Sequence, residues 1–141
     1  MPMHRHFIGA VAASGVLLVA AIAFSQQAKA PATVRELMFS NIVPASEVIF
    51  AAQAEPPTTR EGWAAVERAA DELAAAGRLL TQPPHARAEK GWKEQADELV
   101  AQSLRVRAAA GTQDADTLLE AGDSVYVTCK TCHDEFIGGA R

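Results

Sequence analysis

Toward the C-terminus, Ala115, Leu118, Gly122, Val125, Cys129, Cys132 and Phe136 follow one another in alternating steps of three and four. That period predicts one face of an α-helix, and it puts both cysteines of the chain on the face that must be buried. A single amphipathic helix of this length is marginal in water, so the stripe requires other apolar faces to pack against.

Three further segments supply such faces. From about Ala32 to Ala54, Val34, Leu37, Met38, Ile42, Ala45, Val48 and Ile49 repeat at helical spacing, behind Thr33 and Glu36 in capping-box spacing. Pro44 falls inside this pattern and predicts a kink, with the stripe resuming in phase. After "EPPTTREGW", where Thr58 and Glu61 have the same capping spacing, Trp63, Val66, Ala70, Leu73 and Leu80 mark a second helix. It ends near Leu80, before "TQPPH". The third, from roughly Ala86 to Ala110, carries Trp92, Ala96, Leu99, Ser103 and Val106, with Gly111 as a C-cap. Asp114 is a good N-cap for the fourth, and Gly138 and Gly139 end it. Aromatics make up only 6% of the chain and β-branched runs are few, which favours helix over sheet. Four helices with short connections predict an all-α fold, an antiparallel four-helix bundle with the paired cysteines near its C-terminal end. Alanine-rich faces leave interior space that a flat cofactor could occupy.

The opening residues are not part of that bundle. Arg5, His4 and His6 precede an uncharged stretch from Phe7 to Phe24, the layout of a secretory signal peptide over residues 1–25. Cleavage after Ser25 fits, as does the "AKA" at 28–30. The alternative is a retained membrane anchor, since 18 residues lie at the lower limit for spanning. Either way the single domain of residues 31–141 is expected outside the cytoplasm, in the periplasm. The formal charge of −4 becomes −5 without Arg5, so no generally basic nucleic-acid surface is indicated.

The chemistry is concentrated in "CKTCH", residues 129–133. On a helix, Cys129, Cys132 and His133 fall within a sector of about 100°. Two thiols one turn apart can each add across one vinyl group of a single haem, and the adjacent imidazole then reaches the iron from the same side. This is the c-type haem attachment signature, with one haem c per chain and His133 as proximal ligand. A structural zinc site would need about four donors, and only Cys129, Cys132, His133 and His85 are on offer. A thioredoxin-like redox pair would need the motif at a helix N-terminus, whereas this one is near a C-terminus. A plain disulfide is the remaining alternative.

One haem motif at the end of a fourth helix resembles the class II c-type cytochromes, the cytochrome c′ family. The resemblance covers about residues 31–141, and its most specific part is "CKTCHDEF", with Phe136 matching an aromatic three residues after the ligand. It implies Cys129 and Cys132 as the thioether residues and His133 as the proximal ligand. One branch of the family leaves the sixth iron position open to small gases. The other fills it with a methionine from the first helix. Beyond the leader this chain has one methionine, Met38, and "VRELMFSNIVP" puts it on the first helix, which resembles the Met-ligated low-spin branch. The resemblance also implies a homodimer through the first two helices.

Among the remaining residues, Arg35 lies one turn before Met38 and could pair with a haem propionate. His85 follows two prolines in a connection and is expected at the surface. Trp63 and Trp92 are expected in the core. The function expected from these residues is a periplasmic monohaem cytochrome carrying single electrons between redox proteins, and not an enzyme. Its acidic surface would meet a basic patch on the partner. The alternatives are a five-coordinate haem module binding nitric oxide or carbon monoxide, and a cytochrome subunit of a periplasmic dehydrogenase.

Overall fold

A computed structural model describes residues 30–137. The leader expected over residues 1–25 and the terminal Gly138 and Gly139 lie outside the described residues. Helix α1 (Val34–Ala54) is α-helical over Val34–Leu37, π-helical over Met38–Ile42 and α-helical again over Val43–Ala54. It is followed by α2 (Arg60–Leu80), α3 (Trp92–Thr112) and α4 (Ala115–Phe136). No strand occurs among the described residues.

The four helices pack against each other as a bundle, and the contacts between them give the directions. Between α2 and α3, the Trp92 indole N–H donates to the Leu80 carbonyl at 2.8 Å, while Arg107 meets Asp71 at 2.8 Å. Rising numbers on one helix therefore meet falling numbers on the other. Between α1 and α4, Phe50 meets Tyr126 edge-on at 6.3 Å, and the Gln53 amide donates to the Leu119 carbonyl at 3.2 Å. Asn41 of α1 donates to Glu72 of α2, and Trp92 at the start of α3 meets Phe136 at the end of α4, edge-on at 5.1 Å. Both the α2–α3 and α1–α4 pairs are antiparallel, and α1 against α4 closes the bundle.

Leu37, Ile49, Val66, Leu73, Val106, Leu118 and Val125 are fully buried in one continuous core. Each such side chain contributes about 1.5–3 kcal/mol through burial. By length and composition alone α1 could cross a membrane, yet Leu37, Ile42, Ala45, Ile49 and Ala52 form a buried stripe within the bundle.

The helix ends depart from the sequence expectations in physically simple ways. The capping box at Thr33 and Glu36 forms, with the Thr33 hydroxyl accepting from the Glu36 N–H at 3.1 Å. In α2 the cap is Thr59, accepting from the Gly62 N–H at 3.1 Å, in place of Thr58. Helix α3 begins at Trp92, six residues later than Ala86, because Gly91 takes φ = +90° and interrupts the helix there. A side chain on Gly91 would also meet the Glu135 carboxylate of α4. At the other end Gly111 is inside the helix. Gln113 takes the left-handed conformation at φ = +56° and donates to the Ala110 carbonyl, while Asp114 donates to Ala109. These two bonds make a Schellman ending, and Asp114 then caps α4 through the Thr117 N–H at 3.0 Å. The expected kink at Pro44 takes the form of the π-helical turn just ahead of it.

Candidate functional site

Helix α4 is buried through Leu118, Ala121, Gly122, Val125 and Thr128, and then its stripe leaves the core. Cys129, Cys132 and Phe136 are only partly buried, and His133 is exposed. The last two turns therefore border open space, and that space is a pair of adjoining clefts. One has a volume of about 210 Å³ and reaches inward past Ile42, Phe50, Leu80 and Leu99. The other has a volume of about 460 Å³ and opens between Arg35, Phe39, Arg87 and Ile137. Met38, Val43, Trp92, Cys132 and His133 border both, and Cys129 borders the inner one.

The inner cleft is an apolar space. The hydroxyls of Ser46 and Thr128 are satisfied by their own helices: Ser46 donates to the Val43 carbonyl at 2.9 Å, and Thr128 to the Ser124 carbonyl at 2.9 Å. Trp92 is held firmly in the wall, since its N–H is tied to Leu80 and Phe136 packs against its ring. A buried aromatic with its one donor satisfied makes a rigid surface for a flat apolar ligand.

The cysteines lie where the sequence pattern put them, one turn apart and not bonded to each other. Burial pushes the Cys129 thiol up to about 11, with the neighbouring Cys132 adding to the effect. Cys132 is also raised, by burial first and by the Glu135 charge second, against a lowering contribution from Arg87. Both thiols are therefore protonated near neutral pH. A reactive redox pair has the opposite shift, so the environment disfavours that alternative.

Met38 and His133 border the same two clefts, and Arg35 borders the outer one with its guanidinium 5.6 Å from the centre of the exposed Phe39 ring. His85 does not behave as expected. It is buried, at 3% exposure, in the connection between α2 and α3, with Nε2 3.1 Å from the Pro31 carbonyl oxygen and Nδ1 without a partner. It borders neither cleft. The contact with Pro31 joins it to the segment before α1, which a reading based on flanking prolines does not reveal. Among the described residues no three His, Cys, Asp or Glu side chains converge as a zinc ion would need.

Arg87 is the residue that sequence reasoning missed. Its guanidinium sits 4.5 Å over the Trp92 ring and faces the outer cleft together with Arg35. Ion pairs among the described residues join Lys93 to Asp97, Arg107 to Asp71 and Lys130 to Asp134, and involve neither of these two arginines. Arg87 belongs to an irregular connection, where no periodicity marks a direction. The one available signal was a cation five residues before a tryptophan already assigned to the interior. The clefts thus combine an apolar body, a paired-thiol edge, an imidazole, a thioether and a cationic rim. Compared with models of known protein families the chain matches none, and a search of curated proteins finds no match.

Proposed function

We infer that the two clefts hold one haem, attached through Cys129 and Cys132, and that the protein carries single electrons. The observation that carries this is the meeting of Cys129, Cys132 and His133 from α4 with Met38 from α1 around one apolar space. The outer cleft, at about 460 Å³, lies in the range of about 300–1,000 Å³ typical of small-molecule sites, and the inner one extends it by an apolar recess. An attached haem supplies an iron that changes between ferric and ferrous states. His133 would offer the iron an imidazole nitrogen, and Met38 from the first helix would offer a thioether. Trp92, Leu80 and Leu99 keep water from the inner space. Arg35 and Arg87 at the outer rim suit the two carboxylates on the edge of the group.

A thioether ligand raises the reduction potential relative to an imidazole and occupies the position a gas would need, which favours carriage over capture. The signal-like composition of residues 1–25 supports export to the periplasm, where haem-loading compartments suit a C-x-x-C-H chain. The acidic surface suits a partner with a basic docking patch, bound weakly and with strong salt dependence.

The test is maturation of the full chain in a bacterial envelope that attaches haem, followed by mass spectrometry and visible and EPR spectra. Expected are the added mass of one haem and low-spin ferric iron with a sulfur-to-iron charge-transfer band. A bare polypeptide refutes the haem site. Attached haem with high-spin iron that takes up carbon monoxide on reduction keeps the site and replaces carriage by gas binding.

A further inference from the structure

Helix α1 contains a register change that decides which side chain borders the clefts. Buried Leu37 and Ile42 are five residues apart, and so are Met38 and Val43, which border the same two clefts. In an α-helix five residues turn through about 500°, which would leave each pair roughly 140° apart. The π-helical turn Met38–Ile42 removes that offset, with the Val43 N–H bonded to the Met38 carbonyl five residues back. Beyond it the buried positions Ala45, Ser46, Ile49 and Ala52 return to α spacing.

Pro44 follows this turn directly. It has no N–H to offer the Ser40 carbonyl, and in a regular α-helix its ring would crowd that oxygen. A wider turn ahead of the proline relieves the crowding. Side chains secure it: the Ser40 hydroxyl donates to the Glu36 carbonyl, and the Asn41 amide donates to Glu72 of α2. Had the helix stayed α with Ile42 and Val43 in place, the residues one turn earlier would each be shifted by one. Met38 would take the core place of Leu37, and Phe39 would take the cleft place of Met38. Leucine and methionine are close in volume, so the core alone discriminates weakly between the two registers.

We propose that Pro44, acting through the π-helical turn, is a positioning residue that sets Met38 rather than Phe39 at the cleft. This rests on the haem reading for its spectroscopic consequence, but the register itself does not. Pro44→Ala removes a helix penalty worth up to about a hundredfold in the register equilibrium. In the haem-loaded protein the variant should lose most of the sulfur-to-iron band, gain high-spin iron and bind carbon monoxide, with helix content unchanged. Adding Met38→Leu and Phe39→Met to Pro44→Ala moves the methionine one place along and should restore the band. The same two changes with Pro44 retained should not.

The chain has three methionines, Met1, Met3 and Met38, and the labelled methyl resonance that disappears in Met38→Leu reports the surroundings of Met38 with or without attached haem. In Pro44→Ala that resonance should move from a cleft environment to a core environment. An unchanged resonance overturns the role of Pro44 whatever the iron does. Loss of the band in Pro44→Ala without recovery in the triple variant overturns it too. A wild-type chain carrying no haem instead refutes the proposed function, and the methyl shift still decides the register.

Discussion

Met38 on the first helix and His133 on the last border both clefts, although 95 positions separate them in the chain. The antiparallel pairing of α1 with α4 brings the start of one beside the end of the other, as the Phe50–Tyr126 and Gln53–Leu119 contacts already require. Met38→Ala should therefore leave the bundle folded and change the iron. Met38 is partly buried, and its loss should cost no more than about 2 kcal/mol. The ferric spectrum should pass from low-spin to high-spin, and the ferrous form should take up carbon monoxide. Visible and EPR spectra, with urea unfolding alongside, check both halves.

Arg87 and Arg35 face one cleft from different parts of the chain, and no carboxylate among the described residues pairs with either. A cation beside the edge of the proposed haem would favour the reduced state, which carries one positive charge fewer. Arg87→Gln should thus lower the reduction potential by about 30–60 mV, a three- to tenfold shift for a one-electron couple. Arg87→Lys should retain most of the potential but lose part of the packing over Trp92. Potentiometric titration at low and high salt measures the effect, which should shrink as salt screens it.

The helices and the thiol edge of the site were legible because both depend on local periodicity. The stripe through Leu118, Val125, Cys129 and Cys132 states its own geometry, and a helix cannot bury one of these residues without turning the others the same way. Met38 was legible only through the resemblance to known cytochromes. Its true direction depends on the π-helical turn, and the sequence stripe conceals that turn because Leu37 and Met38 are both apolar. Arg87 and His85 were misjudged or missed for one reason: both lie in the connection between α2 and α3. There, tertiary contacts with Trp92 and Pro31 set each side chain's position, and local pattern carries no such information.

The raised thiols give the chain without attached haem a characteristic pH dependence. Cys129 is pushed up to about 11 in the fold from an ordinary value of 9.0, so the folded state favours the neutral thiol. The unfolded chain loses its proton first. The stabilisation is therefore complete below pH 9.0 and is lost as pH rises toward about 11, by on the order of 2 kcal/mol. Urea midpoints of the unloaded chain should fall across that window. Cys129→Ala should flatten the fall, and a thioether at this position, which cannot titrate, should abolish it. Alkylation at pH 8 should also be slower in the folded chain than in urea, and slower at Cys129 than at the less buried Cys132.

His85 separates a structural histidine from a ligand. Its ring is buried against the Pro31 carbonyl, outside both clefts, and it ties the segment before α1 to the connection between α2 and α3. Removing a buried ring with one hydrogen bond should cost about 2–4 kcal/mol. His85→Ala should therefore lower the urea midpoint of the haem-loaded protein while leaving its spin state and charge-transfer band unchanged. His85→Gln, which can still donate toward Pro31, should recover part of the stability. If His85→Ala changed the iron spectrum at wild-type stability, the imidazole would be a ligand after all, and the assignment of Met38 would fall with it.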